Sequence, residues 1–167
     1  MIMPVAETTF VLIVLAAALS DLIRYRIPNF LVLALAGAFV VSSALHYKET
    51  AWLSHFAAAG LCLVAGFTLY QLRQVGAGDV KFLTAVALWA GLNRLIPLLL
   101  FMSLSGLFAL PLILVARALV ANAQASTLWK PHWPLPRVLT KKQGVPYGVA
   151  IALGAIVTMV VYPFSFG

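Results

Sequence analysis

A stretch of 22 residues without a charged side chain lies at positions 95–116 and reads LIPLLLFMSLSGLFALPLILVA. A helix of about 20 apolar residues is long enough to cross the hydrocarbon core of a bilayer. The rest of the chain is similarly apolar, because 63% of its 167 residues are hydrophobic and 9% are charged. Soluble domains are roughly half apolar and one-quarter charged. The composition therefore predicts a membrane protein, with 95–116 as a transmembrane helix.

Five further apolar stretches flank this one, at positions 4–22, 27–45, 51–72, 80–92 and 145–166. The first is predicted to be a helix and not a cleaved signal peptide, because no Lys or Arg precedes it. Six helices of about 20 residues would use about 120 positions, which leaves no room for a separate soluble domain. We therefore expect one all-α domain over residues 1–167, a polytopic membrane protein with six transmembrane helices. Kinks are expected at Pro97 and Pro111.

Lys and Arg residues are divided unequally between the two ends of these helices. Loops one, three and five and their borders hold nine of the eleven basic residues, and the other two are Lys48 and Arg94. The nine are Arg24, Arg26, Arg73, Lys81, Arg117, Lys130, Arg137, Lys141 and Lys142. Because loops rich in Lys and Arg remain in the cytoplasm, we expect the N-terminus and the C-terminus both to be external.

Acidic residues are rare, and four occur in the chain: Glu7, Asp21, Glu49 and Asp79. The expected topology places Asp21 at the end of helix one and Asp79 before helix four, both at the cytoplasmic face, so the two can meet. Helix four would be about 20 Å long, against about 30 Å of hydrocarbon, which would draw Asp79 towards membrane depth. An acidic residue at that depth usually has a function.

Two carboxylates that lie close together cannot both ionise easily, so one keeps a proton while the other deprotonates water. This pairing predicts peptide hydrolysis by the mechanism of an aspartic protease. A helix N-terminus favours a nearby negative charge, and a helix C-terminus disfavours one. Asp21, at the end of helix one, is therefore expected to act as the acid, and Asp79, at the start of helix four, as the base. Two structural roles compete with this prediction: Asp79 as a cap of helix four, and Asp21 in a pair with Arg24.

A motif reading GAGDVK at 76–81, preceded far upstream by Asp21 and by Ile-Pro-Asn at 27–29, resembles the prepilin peptidase family of membrane aspartic proteases. That family has a Gly-x-Gly-Asp motif, and Pro-Tyr-Gly at 146–148 is also similar to it. The resemblance implies that Asp21 and Asp79 are the catalytic pair.

Gly76 and Gly78 are expected to support the motif. The family resemblance implies an enzyme of the inner (plasma) membrane that cleaves a prepilin leader after a glycine at the cytoplasmic face. The single Cys62 and the short first loop differ from the bifunctional members, which have a cysteine-rich cytoplasmic part and an N-methyltransferase activity. The chain is similar to the short, peptidase-only type that serves tight-adherence (Flp-type) pili.

The expected partners are the lipid bilayer and a prepilin, with its leader peptide and N-terminal apolar helix. Nucleic acid is not expected as a partner, because the basic residues are scattered and do not form a stripe. No cofactor is expected, and no metal either, because His and Cys lack the spacing of metal ligands.

Two other functions are compatible with paired acids in a helical membrane protein. One is a proton-coupled transporter or channel subunit, and the other is a non-catalytic pilus-assembly protein. Transporter acids tend to lie near the bilayer midplane, at the interface of inverted repeats. Here both acids are expected at one face, and no repeat is visible in the sequence, which favours the peptidase.

Reporter fusions test the expected topology. A fusion near Lys141 should report a cytoplasmic location, and fusions near Lys48 and after Gly167 should report an external one, because of the nine-to-two division of basic residues. An external signal near Lys141 would place the two aspartates at the other face of the membrane.

Overall fold

A computed structural model describes residues 3–48, 50–125 and 146–163. Within these residues the protein is all-helical, as predicted. The helices are α1 (Met3–Arg24), α2 (Asn29–Leu45), α3 (Trp52–Gln71), α4 (Ala77–Ala125) and α5 (Tyr147–Val161).

Three helical stretches of the described chain are long and apolar enough to cross a membrane: Val5–Arg24, Trp52–Gln71 and Ala77–Asn122. α2 and α5 are also apolar but shorter, with 17 and 15 residues. Every predicted apolar stretch overlaps a helix, and the fourth and fifth stretches together form α4.

Prolines determine two of the helix boundaries that the hydropathy pattern misplaces. α2 begins at Asn29 and not at Ile27, because Ile27 precedes Pro28, which is extended with φ −62° and ψ 135°. α5 ends at Val161 and not at 166, because Tyr162 precedes Pro163 and leaves the helical conformation with φ −127° and ψ 81°. Both helices are therefore shorter than predicted.

α4 is divided in two at Gly91, where φ is 66° and ψ is 177°. The first segment of α4 covers 77–90 and the second segment covers 92–125. The predicted break between the fourth and fifth stretches is therefore present, but it lies at Gly91 and not at 93–94. Pro97 and Pro111 both lie inside the helix of the second segment, and the kinks expected at them stay predictions. This segment also continues beyond the predicted end at 116.

The break at Gly91 interrupts the helical hydrogen bonds that span this residue, among them the bond that would join the Leu92 amide to the Leu88 carbonyl. Two side chains of α3 take the places of the missing partners. Ser54 Oγ accepts a hydrogen bond from the Leu92 amide at 2.9 Å, and His55 Nδ1 donates one to the Leu88 carbonyl at 2.8 Å. The Leu92 amide and the Leu88 carbonyl are thus satisfied inside the protein, as an apolar environment requires.

An aromatic cluster fixes the first segment of α4 in the bundle. Trp89 is 1% exposed, and its ring centroid lies 5.1 Å from that of Phe10 in α1 and 5.8 Å from that of Phe39 in α2. Its indole Nε1 donates to the Leu35 carbonyl at 2.9 Å. α3 and α5 pack along α4, and α1 packs against α2 and α5. The first segment of α4 is therefore packed against other helices on several sides. This packing also fixes the position of its N-terminal end.

Gly91→Ala should destabilise the protein, because a residue with a Cβ is strained at φ 66°. Such strain costs about 1–3 kcal/mol. The added Cβ would also lie 3.2 Å from Ser54 Oγ and 3.3 Å from the His55 ring. Thermal unfolding in detergent should show a lower midpoint.

Gly37→Ala is the matched control, because a Cβ at Gly37 has no neighbour within 4 Å. This variant should unfold at the wild-type temperature or above it, since alanine is the better helix former. Equal midpoints for the two variants would contradict the role given to Gly91.

Candidate active site

Asp21 lies in the last turn of α1 and is 5% exposed. The helix ends just beyond it, because Tyr25 adopts a left-handed conformation with φ 53° while its amide donates to the Asp21 carbonyl at 2.8 Å. The chain then reverses towards α2. Ser20 Oγ donates to the Arg26 carbonyl at 2.9 Å and closes this reversal. The carboxyl group of Asp21 is therefore buried beneath a fixed loop.

Gly148, in the first turn of α5, supplies the hydrogen-bond partner of Asp21. Its amide donates to Asp21 Oδ2 at 2.8 Å. A Cβ at this position would lie 2.7 Å from the same oxygen and 2.9 Å from Ile27 Cδ1. The contact therefore needs a glycine, because any side chain would displace either the carboxyl group or Ile27.

Asp79 lies in the first turn of α4, and its carboxyl group accepts a hydrogen bond from the backbone amide of Gly76. Because α4 begins at Ala77, Asp79 is not the N-cap considered from the sequence; its carboxyl group instead reaches back to the residue that precedes the helix. A Cβ at Gly76 would lie 2.9 Å from Asp79 Oδ2, so this glycine gives the carboxyl group room. A Cβ at Gly78 would make an ordinary contact of 3.8 Å with Ile27. The two motif glycines therefore have different surroundings.

Asp21 and Asp79 line the same cavity, which has a volume of about 650 Å³ and is called the polar cavity below. Its walls are the end of α1, the loop from α1 to α2, and residues 76–79 with Lys81. The two carboxyl groups are close enough to interact electrostatically. The alternative of a surface pair between Asp21 and Arg24 does not fit, because Asp21 is buried and its Oδ2 accepts a hydrogen bond from the Gly148 amide.

Three basic side chains also line the polar cavity: Arg24, Arg26 and Lys81. The sequence favours a role in topology for them over a role as substrate ligands. Lys81 Nζ donates to Asn29 Oδ1 at 3.2 Å, which joins the start of α4 to the start of α2. The rim of the cavity is therefore positively charged, while the two aspartates lie within it.

Arg117 corrects one detail of the predicted topology. It was assigned to loop five, but it lies inside α4 and is 8% exposed. Its Nη2 donates to the hydroxyl of Tyr25 at 3.1 Å and so connects α4 to the loop beside Asp21. The other basic residues of the predicted loop five lie outside the described residues; they are Lys130, Arg137, Lys141 and Lys142.

Helix N-termini face both carboxyl groups. Gly148 belongs to the first turn of α5, and Gly76 immediately precedes α4. The predicted division of roles considered only the C-terminus of α1 at Asp21 and omitted α5. Because an N-terminus favours a negative charge, the N-terminus of α5 opposes the effect of the α1 C-terminus on Asp21, and the division of roles stays a prediction.

The arrangement can transfer protons to and from a water molecule or substrate in the polar cavity, since two carboxyl groups line the same space. Across residues 3–48, 50–125 and 146–163, no three His, Cys, Asp or Glu side chains are grouped as metal ligands.

Comparison with known families identifies a match over residues 8–112 to the type IV leader peptidase family. The matched region contains Asp21 and the motif at 76–81, and it ends before α5 and Gly148. No curated protein and no solved structure gives a significant match.

Gly148→Ala should lower the kcat for hydrolysis of a leader-peptide substrate about ten- to a hundredfold. The added Cβ displaces the Asp21 carboxyl group, and a hydrogen bond to a charged group contributes about 1.5–3 kcal/mol. Steady-state kinetics at several pH values would measure the loss and a changed pH dependence of kcat.

Gly60→Ala is the control for this substitution, because a Cβ at Gly60 meets nothing within 4 Å. It should retain wild-type kcat and pH dependence. A Gly148→Ala enzyme with an unchanged pH profile would show that the amide does not act on Asp21.

Proposed function

Because the chain belongs to the type IV leader peptidase family, we propose that it is an aspartic endopeptidase that removes the leader peptide of a prepilin. The observation that carries the aspartic mechanism is the placement of Asp21 and Asp79. They come from different helices, and they line one cavity of about 650 Å³.

In the proposed reaction, one aspartate is ionised and the other is protonated. A water molecule adds to the carbonyl carbon of the scissile peptide while the ionised carboxylate takes its proton. The protonated aspartate then gives its proton to the leaving nitrogen as the carbon–nitrogen bond breaks. The leader departs with a new carboxyl terminus, and the mature chain has a new amino terminus. The reaction needs no metal and no cofactor.

Neither aspartate is assigned a fixed role in this scheme. Each carboxyl group accepts a backbone amide at or near a helix N-terminus, Gly148 for Asp21 and Gly76 for Asp79. A closely coupled pair shares its proton and titrates jointly. Cleavage should therefore fall both at low pH, where both groups are protonated, and at high pH, where both are ionised.

The finer parts of the proposal concern the location of the site. We propose six transmembrane helices in a single domain over residues 1–167, both termini external, and cleavage after a glycine at the cytoplasmic face of the inner membrane. The distribution of Lys and Arg supports this orientation. Support for a tight-adherence (Flp-type) pilin comes from the short first loop and the single Cys62.

Asp21→Asn and Asp79→Asn should each abolish cleavage of a prepilin while leaving the protein folded. Asparagine keeps the shape of the side chain, but it can neither take a proton from water nor provide an acidic one. Cleavage by purified enzyme in detergent, followed by gel mobility of the product, measures the loss.

Glu7→Gln is the matched control, because Glu7 lies near the other end of α1. It lines neither the polar cavity nor a second cavity that also adjoins Asp79. It should retain wild-type activity. Substantial cleavage by the Asp21→Asn enzyme would contradict the pair mechanism, whereas absence of cleavage by the wild-type protein would favour a transporter or an assembly protein. Activity lost in EDTA and restored by a divalent metal would point instead to metal-assisted hydrolysis.

A further inference from the structure

A second cavity adjoins Asp79 on the side away from the loop between α1 and α2. It has a volume of about 410 Å³ and lies between α3, both segments of α4 and α5; it is called the apolar groove below. Asp79 lines both this groove and the polar cavity. The two spaces therefore meet at one of the two proposed catalytic residues.

The apolar groove leads from Asp79 towards the interior of the bundle. Along α4 its lining continues from Asp79 to Leu83, and along α5 it continues from Tyr147 to Ile151. Both helices begin at the end of the bundle that holds the aspartates. One helical turn corresponds to about 5.4 Å, so the groove extends at least that far into the apolar part of the protein.

The lining of the apolar groove is small or aliphatic at most positions, and among the residues that the structure describes Asp79 is its one charged side chain. Gly66, Gly106, Ala109 and Ala150 provide room. The hydroxyl of Ser103 is already bonded to the Leu99 carbonyl at 2.7 Å and requires no partner from a ligand. A chain segment with apolar side chains fits this surface, because it leaves no buried polar group unsatisfied.

The groove is also open on the side of the bundle that would face lipid. Leu107 forms part of its lining and is 64% exposed. An apolar helix of another protein could therefore enter sideways from the bilayer without passing through water. The polar cavity differs in character, because its rim holds Arg24, Arg26 and Lys81.

We propose that the apolar groove binds the apolar segment of the substrate on the C-terminal side of the scissile bond, while the polar cavity receives the leader. This assignment rests on the proposed leader-peptidase function. Two observations support the assignment: Asp79 lines both the apolar groove and the polar cavity, and the two linings differ in polarity. The substrate crosses the pair of aspartates at the point where its own sequence changes from polar to apolar.

Cysteine cross-linking tests which part of the substrate occupies the groove. The full-length chain with Asp21→Asn holds the substrate uncleaved, and Ser103→Cys places a thiol in the groove. Prepilins with a single cysteine, either early in the mature segment or in the leader, are added in detergent with a short thiol cross-linker. We expect the mature-segment cysteine to cross-link at least tenfold more than the leader cysteine.

Ala65→Cys is the matched control, because this exposed residue of α3 lines neither cavity. The Asp21→Asn chain with Cys62 alone gives the background, since Cys62 is buried and present in every variant. Equal cross-linking of the two prepilins to Ser103→Cys would overturn the assignment of the groove. So would a yield of the mature-segment cross-link at Ala65→Cys that equals the yield at Ser103→Cys. Cleavage by the wild-type enzyme is measured in parallel, and its absence would overturn the proposed function as well.

Discussion

Polar groups that leave water need a partner inside the protein, and this requirement governs the helix ends within this apolar bundle. At Gly91 the interrupted α4 exposes a carbonyl and an amide, which bond to His55 and Ser54. At the opposite end of the first segment the same requirement applies to a carboxyl group, since Asp79 accepts the Gly76 amide. The hydrogen bonds at the two ends of this segment thus fix the fold near Gly91 and the candidate site near Asp79.

The helices could be predicted from the sequence because apolar runs and prolines act locally. Pro28 and Pro163 then explain where the hydropathy pattern misplaces helix boundaries. A break between the fourth and fifth stretches is predicted from the sequence, but its position at Gly91 could not be predicted in this way, because Gly37 and Gly60 lie in similarly apolar stretches and remain helical. What distinguishes Gly91 is its contact with polar side chains of α3, which depends on tertiary packing. The number of helices that cross the membrane stays a prediction.

Part of the candidate site could be predicted from the sequence, because acidic residues are rare in apolar stretches and therefore stand out. Asp21 and Asp79 were expected to meet, and both line the polar cavity. Gly148 was not expected to contact Asp21, because 127 residues separate the two in sequence. Its place in the Pro-Tyr-Gly motif was the available signal, yet a motif alone does not identify a hydrogen-bond partner. Arg117 escaped prediction for a related reason, since a basic residue near the end of an apolar stretch looks like a loop residue.

Placement of the aspartates between a polar and an apolar space bears on how such an enzyme would select its substrate. Hydrolysis needs water at the scissile bond, and the polar cavity offers a path for it, while the lining of the apolar groove beyond Asp79 is mostly apolar. Few polar groups in the groove are available to recognise particular side chains. Selection in the proposed scheme therefore depends on where a substrate changes from polar to apolar, because only that boundary aligns with both spaces at once. Moving the boundary along the substrate by one helical turn, about 5.4 Å, would bring a different peptide bond to the aspartates.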